Sequence, residues 1–388
     1  MNYVFFRVAA LGSAIILLIF AGSAQAASLK VIYNFTGGPD GTGPRGTLVR
    51  DSSGAIFGAT KSGGAYEFGT VFKVSATGKV TSLHVFSGAG GDGSKPEGGV
   101  IADAQGNLYG TTSAGGENGL GIVFKITPTG AEKILYTFQG ICCGSDGSFP
   151  MSALVANAKG NMYGTTYKGG NSSDLGTVFK VTPRGAETLV YAFAGGTDGA
   201  NPGGGLAIDN RGNFYGASYA GGTDNVGVVY RIASGGAETV LHTFSWETAD
   251  GSQPNDVPVI DDHGNMYGTT LRGGMEGSGG YGTVYRVTHS GVETIVHTFD
   301  DIDGADPTGV ILVGKVLYGV AAAGGANGLG TIFKLKPNGG FKVLHSFDGT
   351  DGSGPACQLI SDGAGTLYGT TTAGGTFGFG TLFKLTLK

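Results

Sequence analysis

The sequence predicts an all-β, seven-bladed β-propeller of four-stranded blades, and three observations predict it. A Tyr-Gly or Phe-Gly glycine recurs at Gly58, Gly110, Gly164, Gly216, Gly268, Gly319 and Gly369, with gaps of 52, 54, 52, 52, 51 and 50 residues. Each repeat holds only short strand and turn signals, and a period near 50 residues of that kind fits propeller blades rather than a helical solenoid. The repeat is also offset: the chain beyond residue 26 opens on a fourth-strand segment and stops after a third.

The second repeat shows the elements in order. Residues 100–103 read as a short apolar strand, followed by the turn Ala104-Gln105-Gly106. Residues 107–112 form the second strand and end in a polar loop with the Gly115-Gly116 doublet. Residues 122–126 form the third strand, Thr127-Pro128-Thr129-Gly130 has proline and glycine where a β-turn wants them, and residues 134–138 form the fourth strand. Strands of about five residues joined by short turns are the dimensions of a propeller blade. Glycine inside a strand ordinarily weakens it, so its return in every second strand predicts that the Phe or Tyr of the third strand packs against bare backbone there.

Fourth-strand segments occupy residues 31–35, 83–86, 134–138, 189–193, 240–244, 295–299 and 343–347. The last repeat has no fourth strand after it, so residues 29–35 are expected to complete that blade and close the ring without a free sheet edge.

Ahead of this strand lie Arg7, an apolar run over residues 8–21 and the small-x-small site Ala24-Gln25-Ala26. Together they predict a cleaved signal peptide over residues 1–26 and a single propeller domain over residues 27–388. The apolar run is shorter than the ~20 residues of a spanning helix, so no stable membrane insertion is expected after cleavage.

Of 24 basic and 29 acidic residues, cleavage removes one Arg, leaving 23 against 29 and a net charge of −6. That balance excludes an electrostatic footprint for nucleic acid. Only 14% of residues are charged and 78 are glycine, but 40% are hydrophobic, with 22 Phe and 16 Tyr, which supplies a core. Adjacent Cys142 and Cys143 leave Cys357 as an odd thiol and do not make a disulfide framework.

In a propeller, the loops entering each first strand and those between second and third strands share one face. Here the former carry Asp-Gly-x-x-Pro seven times, from Asp40, Asp92, Asp146, Asp198, Asp250, Asp303 and Asp351, and the latter carry the Gly-Gly doublets. Turn chemistry explains an aspartate in every blade, since its carboxylate caps backbone N–H groups. Calcium is the functional alternative, because it takes several oxygens from a flexible loop; Asp301, Asp303, Asp306 and Asp351 are the candidate ligands.

His84, His242, His297 and His345 fill one repeat position that Tyr33, Tyr136 and Tyr191 hold elsewhere, and Glu132, Glu187, Glu238 and Glu293 share another. No Ser-His-Asp triad emerges. The off-repeat acids of the loop face are Glu67, Glu97, Glu117, Glu247 and Glu276, and a pair of them would be the means of a glycan hydrolase or lyase. Aromatics that break the repeat are the candidate ligand platforms: Trp246, Phe149, Tyr167, Tyr219 and Tyr281, suited to sugar rings or a protein partner.

These seven Leu-Tyr-Gly-Thr-Thr-x-x-Gly-Gly…Gly-Thr-Val-Phe-Lys units resemble the GloVer (Gloeo_Verruco) tandem repeats of exported bacterial proteins over essentially all of residues 29–388. The resemblance implies an extracellular or surface location and offers no catalytic residues. Family members bear C-terminal anchors; this chain ends with its last strand, so secretion or periplasmic residence is expected. The function expected is a non-catalytic, monomeric binding propeller for carbohydrate or a surface protein, with a glycan-active enzyme or a structural envelope or matrix component as the alternatives.

Overall fold

A computed structural model describes residues 27–387 except 144–145, 247–248 and 276–279; the expected signal peptide and the acids Glu247 and Glu276 lie outside the described residues. Seven blades of antiparallel strands form a ring. Blade 1 comprises Thr42–Arg50, Ile56–Ser62, Thr70–Val74 and Val80–Val85, in that order from the axis outward. Blade 7 comprises a first strand split into Ser353–Pro355 and Ile360–Ser361, then Thr366–Ala373, Thr381–Thr386 and finally Ser28–Asn34 from the other end of the chain.

The closing strand reproduces the register of a continuous blade. In blade 2, Phe124 pairs with Ile134 and Val123 with Tyr136, so Leu135 is the extra residue of a bulge. In blade 7, Phe383 pairs with Val31 and Leu382 with Tyr33, which leaves Ile32 in the same role. The bulge increases local twist and turns the following aromatic or histidine toward the next blade.

The first strand differs from expectation. Over blade 2 it is two short pieces, Gly93–Ser94 and Ile101–Ala102, instead of one strand at residues 100–103. The interruption falls where neighbouring blades crowd the axis. A Cβ at Gly99 would lie 2.9 Å from the carbonyl carbon of Gly46, and Thr47 and Gly99 form a parallel bridge between blades 1 and 2.

Three contacts repeat around the ring. The strand glycines face the third-strand rings as expected: a Cβ would stand 2.7 Å from Phe72 at Gly58 and 2.6 Å from Phe383 at Gly369. The third-strand ring meets the outer-strand Phe of the preceding blade edge-on, from Phe35–Phe72 at 5.0 Å to Phe347–Phe383 at 5.4 Å. Such pairs add to the burial of both rings. Finally, the proline of each Asp-Gly-x-x-Pro loop covers a positive-φ glycine of the preceding blade. Pro96 lies over Gly69 and, across the closure, Pro44 lies over Gly380.

Candidate functional site

Six of the seven loop aspartates bond to a Tyr or His of their own outer strands. Tyr33 donates to Asp40 at 2.8 Å, Tyr191 to Asp198 at 3.0 Å, and Tyr136 to Asp146. His242, His297 and His345 place Nε2 at 3.1, 2.8 and 2.6 Å from Asp250, Asp303 and Asp351. The same carboxylates accept backbone N–H groups as the chain leaves the outer strand, for example from Thr36 to Asp40 and from Asp348 to Asp351. One carboxylate thus ties strand end, loop and side chain together.

Across each seam stands the first residue of the next outer strand. It is Glu132, Glu187, Glu238 and Glu293 in blades 2 to 5, and burial pushes each of these carboxyls up to about 7. Between blades 1 and 2 the arrangement opens. His84 Nε2 is 3.5 Å from Asp92 and 3.6 Å from Glu132, and among the described residues neither this nitrogen nor Glu132 Oε1 has a hydrogen-bond partner. Burial works against the His84 proton, but Asp92 and Glu132 outweigh it and raise the imidazole above its ordinary value.

The loop face also opens into the central channel, where all seven blades line a cavity of about 690 Å³. Its wall is built by the residues that follow each loop proline, including Arg45, Glu97, Met151, Gly203, Asn255, Thr308 and Ala356. One side is charged: Glu97 is buried and paired with Lys61 at 2.6 Å and Arg45 at 3.6 Å. The other side is amidic and acidic. Gln358 donates to Val257 and Val310, so one amide bridges three blades. Asp256, 4% exposed, accepts from the Thr269 N–H and hydroxyl, and burial raises its carboxyl to about 7. Cys357 makes the equivalent contact with Thr370 in blade 7.

The structure separates the sequence-predicted aromatics. Tyr167 and Tyr219 line the channel mouth, and Phe149 lines an adjoining pocket with Tyr167 and Glu97. Trp246 is half-buried against the core between blades 4 and 5, and Tyr281 stands exposed over blade 5. The four candidate calcium ligands have separate engagements: Asp303 and Asp351 hold His297 and His345, Asp306 pairs with Arg272, and Asp301 takes a positive φ in its turn. Asn255, Asp256 and Gln358 went unnoticed in the sequence. The signal available was the triplet after each proline, which varies from Gly203-Gly204-Gly205 to Asn255-Asp256-Val257 while the loop before it repeats.

A family model described as the Gloeobacter/Verrucomicrobia repeat matches residues 18–175, 142–315 and 208–388. No match was found among curated proteins. Among solved structures, the extracellular domain of a hybrid two-component system of B. thetaiotaomicron is 11% identical, with 93% of this chain and 41% of that one covered at a TM-score of 0.56. A Bacteroides uniformis protein described as a 6-phosphogluconolactonase is 16% identical over 84% and 87% of the two chains, with a TM-score of 0.50. A structure described as a gluconolactonase is 13% identical over 93% and 92%, with a TM-score of 0.47. At such identities the likeness is one of fold alone.

Proposed function

The chain belongs to the Gloeobacter/Verrucomicrobia repeat family, and from that premise we propose that it is an exported, non-catalytic binding propeller that seats carbohydrate at the channel mouth. One observation carries this reading. The loop aspartate, glycine, proline and strand signatures return in every blade, whereas the triplets that line the cavity do not, and seven different sets of groups converge there. A scaffold that only had to close would repeat there too, whereas a recognition surface needs non-equivalent groups on a rigid frame. Tyr167 and Tyr219 supply ring faces at the rim, and Arg45, Glu97 and Asn255 supply polar partners for hydroxyl groups. The apolar run and cleavage site over residues 1–26 support export to the periplasm or beyond.

The test is a glycan array probed with the purified protein, followed by the double change Tyr167→Ala and Tyr219→Ala. Capture is expected to fall at least ~10-fold, with an unchanged melting temperature, as stacking contacts are worth roughly 1 kcal/mol each. An array on which nothing is retained, or retention indifferent to both tyrosines, sinks the reading.

One observation favours a glycan-active enzyme as second reading: Glu97, paired with cations, and Asp256, raised by burial, line the same cavity in opposite electrostatic settings. Turnover of a captured glycan, abolished by Glu97→Gln, would replace the binding module with that enzyme.

A further inference from the structure

We propose that His84, Asp92 and Glu132 form a site for one divalent transition-metal ion, zinc by ligand preference, in the seam between blades 1 and 2. The three donor atoms lie within 4.8 Å of one another. Tetrahedral zinc with bonds of ~2.0–2.1 Å to imidazole and carboxylate requires ligand atoms about 3.4 Å apart. His84 Nε2 stands 3.5 Å from Asp92 Oδ1 and 3.6 Å from Glu132 Oε1, so two edges of that tetrahedron are already drawn.

The other seams of the ring provide the comparison. At the equivalent position Tyr33, Tyr136 and Tyr191 donate to the loop aspartate, and His242, His297 and His345 approach theirs at 3.1 Å or less. His84 alone among these seven stands back from its aspartate and between two carboxylates. Its Nε2 is closed off from solvent and, among the described residues, has no hydrogen-bond partner; Glu132 Oε1 is in the same state, which it shares with the equivalent oxygens of Glu187, Glu238 and Glu293. A buried nitrogen and a buried carboxylate oxygen left in that state are each costly. A cation between them satisfies both, while Asp92 keeps its Ser87 and Gly93 contacts, which orient it as an outer shell orients a ligand.

The ring also supplies the variant. His84→Tyr recreates the seam that Tyr136, Asp146 and Glu187 make between blades 2 and 3, so it removes the nitrogen while keeping a native pattern. Glu132→Gln keeps the shape and removes the charge.

The experiment is calorimetric titration of zinc into the tag-free, EDTA-treated protein and both variants, with melts in EDTA to establish that each is folded. Expected are one equivalent of zinc, a zinc-dependent rise in melting temperature, and a loss of affinity of ~100-fold or more in His84→Tyr and in Glu132→Gln. His242→Tyr should bind as the parent does. No binding overturns the proposal, as does equal binding in the His84 and Glu132 variants. So does a cobalt spectrum with a thiolate charge-transfer band, which would assign the metal to cysteine.

Discussion

Phe341 stacks flat on His297, ring centroids 3.7 Å apart and planes 7° from parallel. It stands where Glu132, Glu187, Glu238 and Glu293 stand in other seams, six residues before the Phe that follows the outer strand. The same frame therefore tolerates either an apolar cover or a carboxyl over its aspartate and histidine or tyrosine. Where the cover is a carboxyl, its burial disfavours the charged form at neutral pH.

Burial raises Glu187 from 4.5 to about 7, with Asp146 adding to the shift. An acid whose pKa rises on folding contributes its stability fully below the unfolded value and loses it as pH climbs through the folded one. The melting temperature is thus expected to fall between pH 4.5 and about 7, with the other buried glutamates acting in the same direction. Glu187→Gln should lessen that slope and raise the transition above pH 7. Thermal scans at a series of pH values check this; an identical slope in the variant would show that the seam does not titrate this way.

Phe35 directly follows the closing strand and is 0% exposed, edge-on to Phe72 of blade 1. Phe35→Ala should lower stability by about 3–5 kcal/mol, as for other large-to-small changes in a packed core. Denaturant unfolding measures it. A loss below ~1 kcal/mol would mean that the closure carries little of the ring's stability.

Gln253 takes φ 59 immediately before Pro254, the place that Gly43 and Gly354 fill in blades 1 and 7. A left-handed residue other than glycine is strained, and part of the strain relief is offset by greater freedom in the unfolded chain. Gln253→Gly should be neutral to stabilising by up to about 1 kcal/mol, whereas Gln253→Val should destabilise. The melting order glycine, glutamine, valine is the readout; glutamine at the top would show that its side chain holds the loop.

What the sequence made legible was what every blade needs. Seven glycines, seven fourth strands and the offset of residues 29–35 led to the blade count and closure because repetition averages out local ambiguity. The crowding of Gly369 by Phe383 was readable for the same reason. The link between the loop aspartates and the His or Tyr position was not, although both series were visible. They lie six to ten residues apart, and only the bulge turns them toward each other. The channel mouth was harder still. Asn255, Asp256 and Gln358 belong to no series, so reading by repetition passes over them. Tyr167 and Tyr219 were visible as departures from the pattern, but Trp246, read in the same way, is committed to packing between blades.

The placement of Ser28–Asn34 beside Thr381–Thr386 also sets an order of events in time. Ser28–Asn34 finds its partner only once Thr381–Thr386, on the far side of all the other blades in sequence, has been made, so folding carries one step that closes a very long loop, the slowest kind of contact to form. Until then the last blade presents a bare edge with the right register for any copy of the opening strand. Two half-made molecules can also exchange that strand, and concentration during refolding decides between rings and chains of rings.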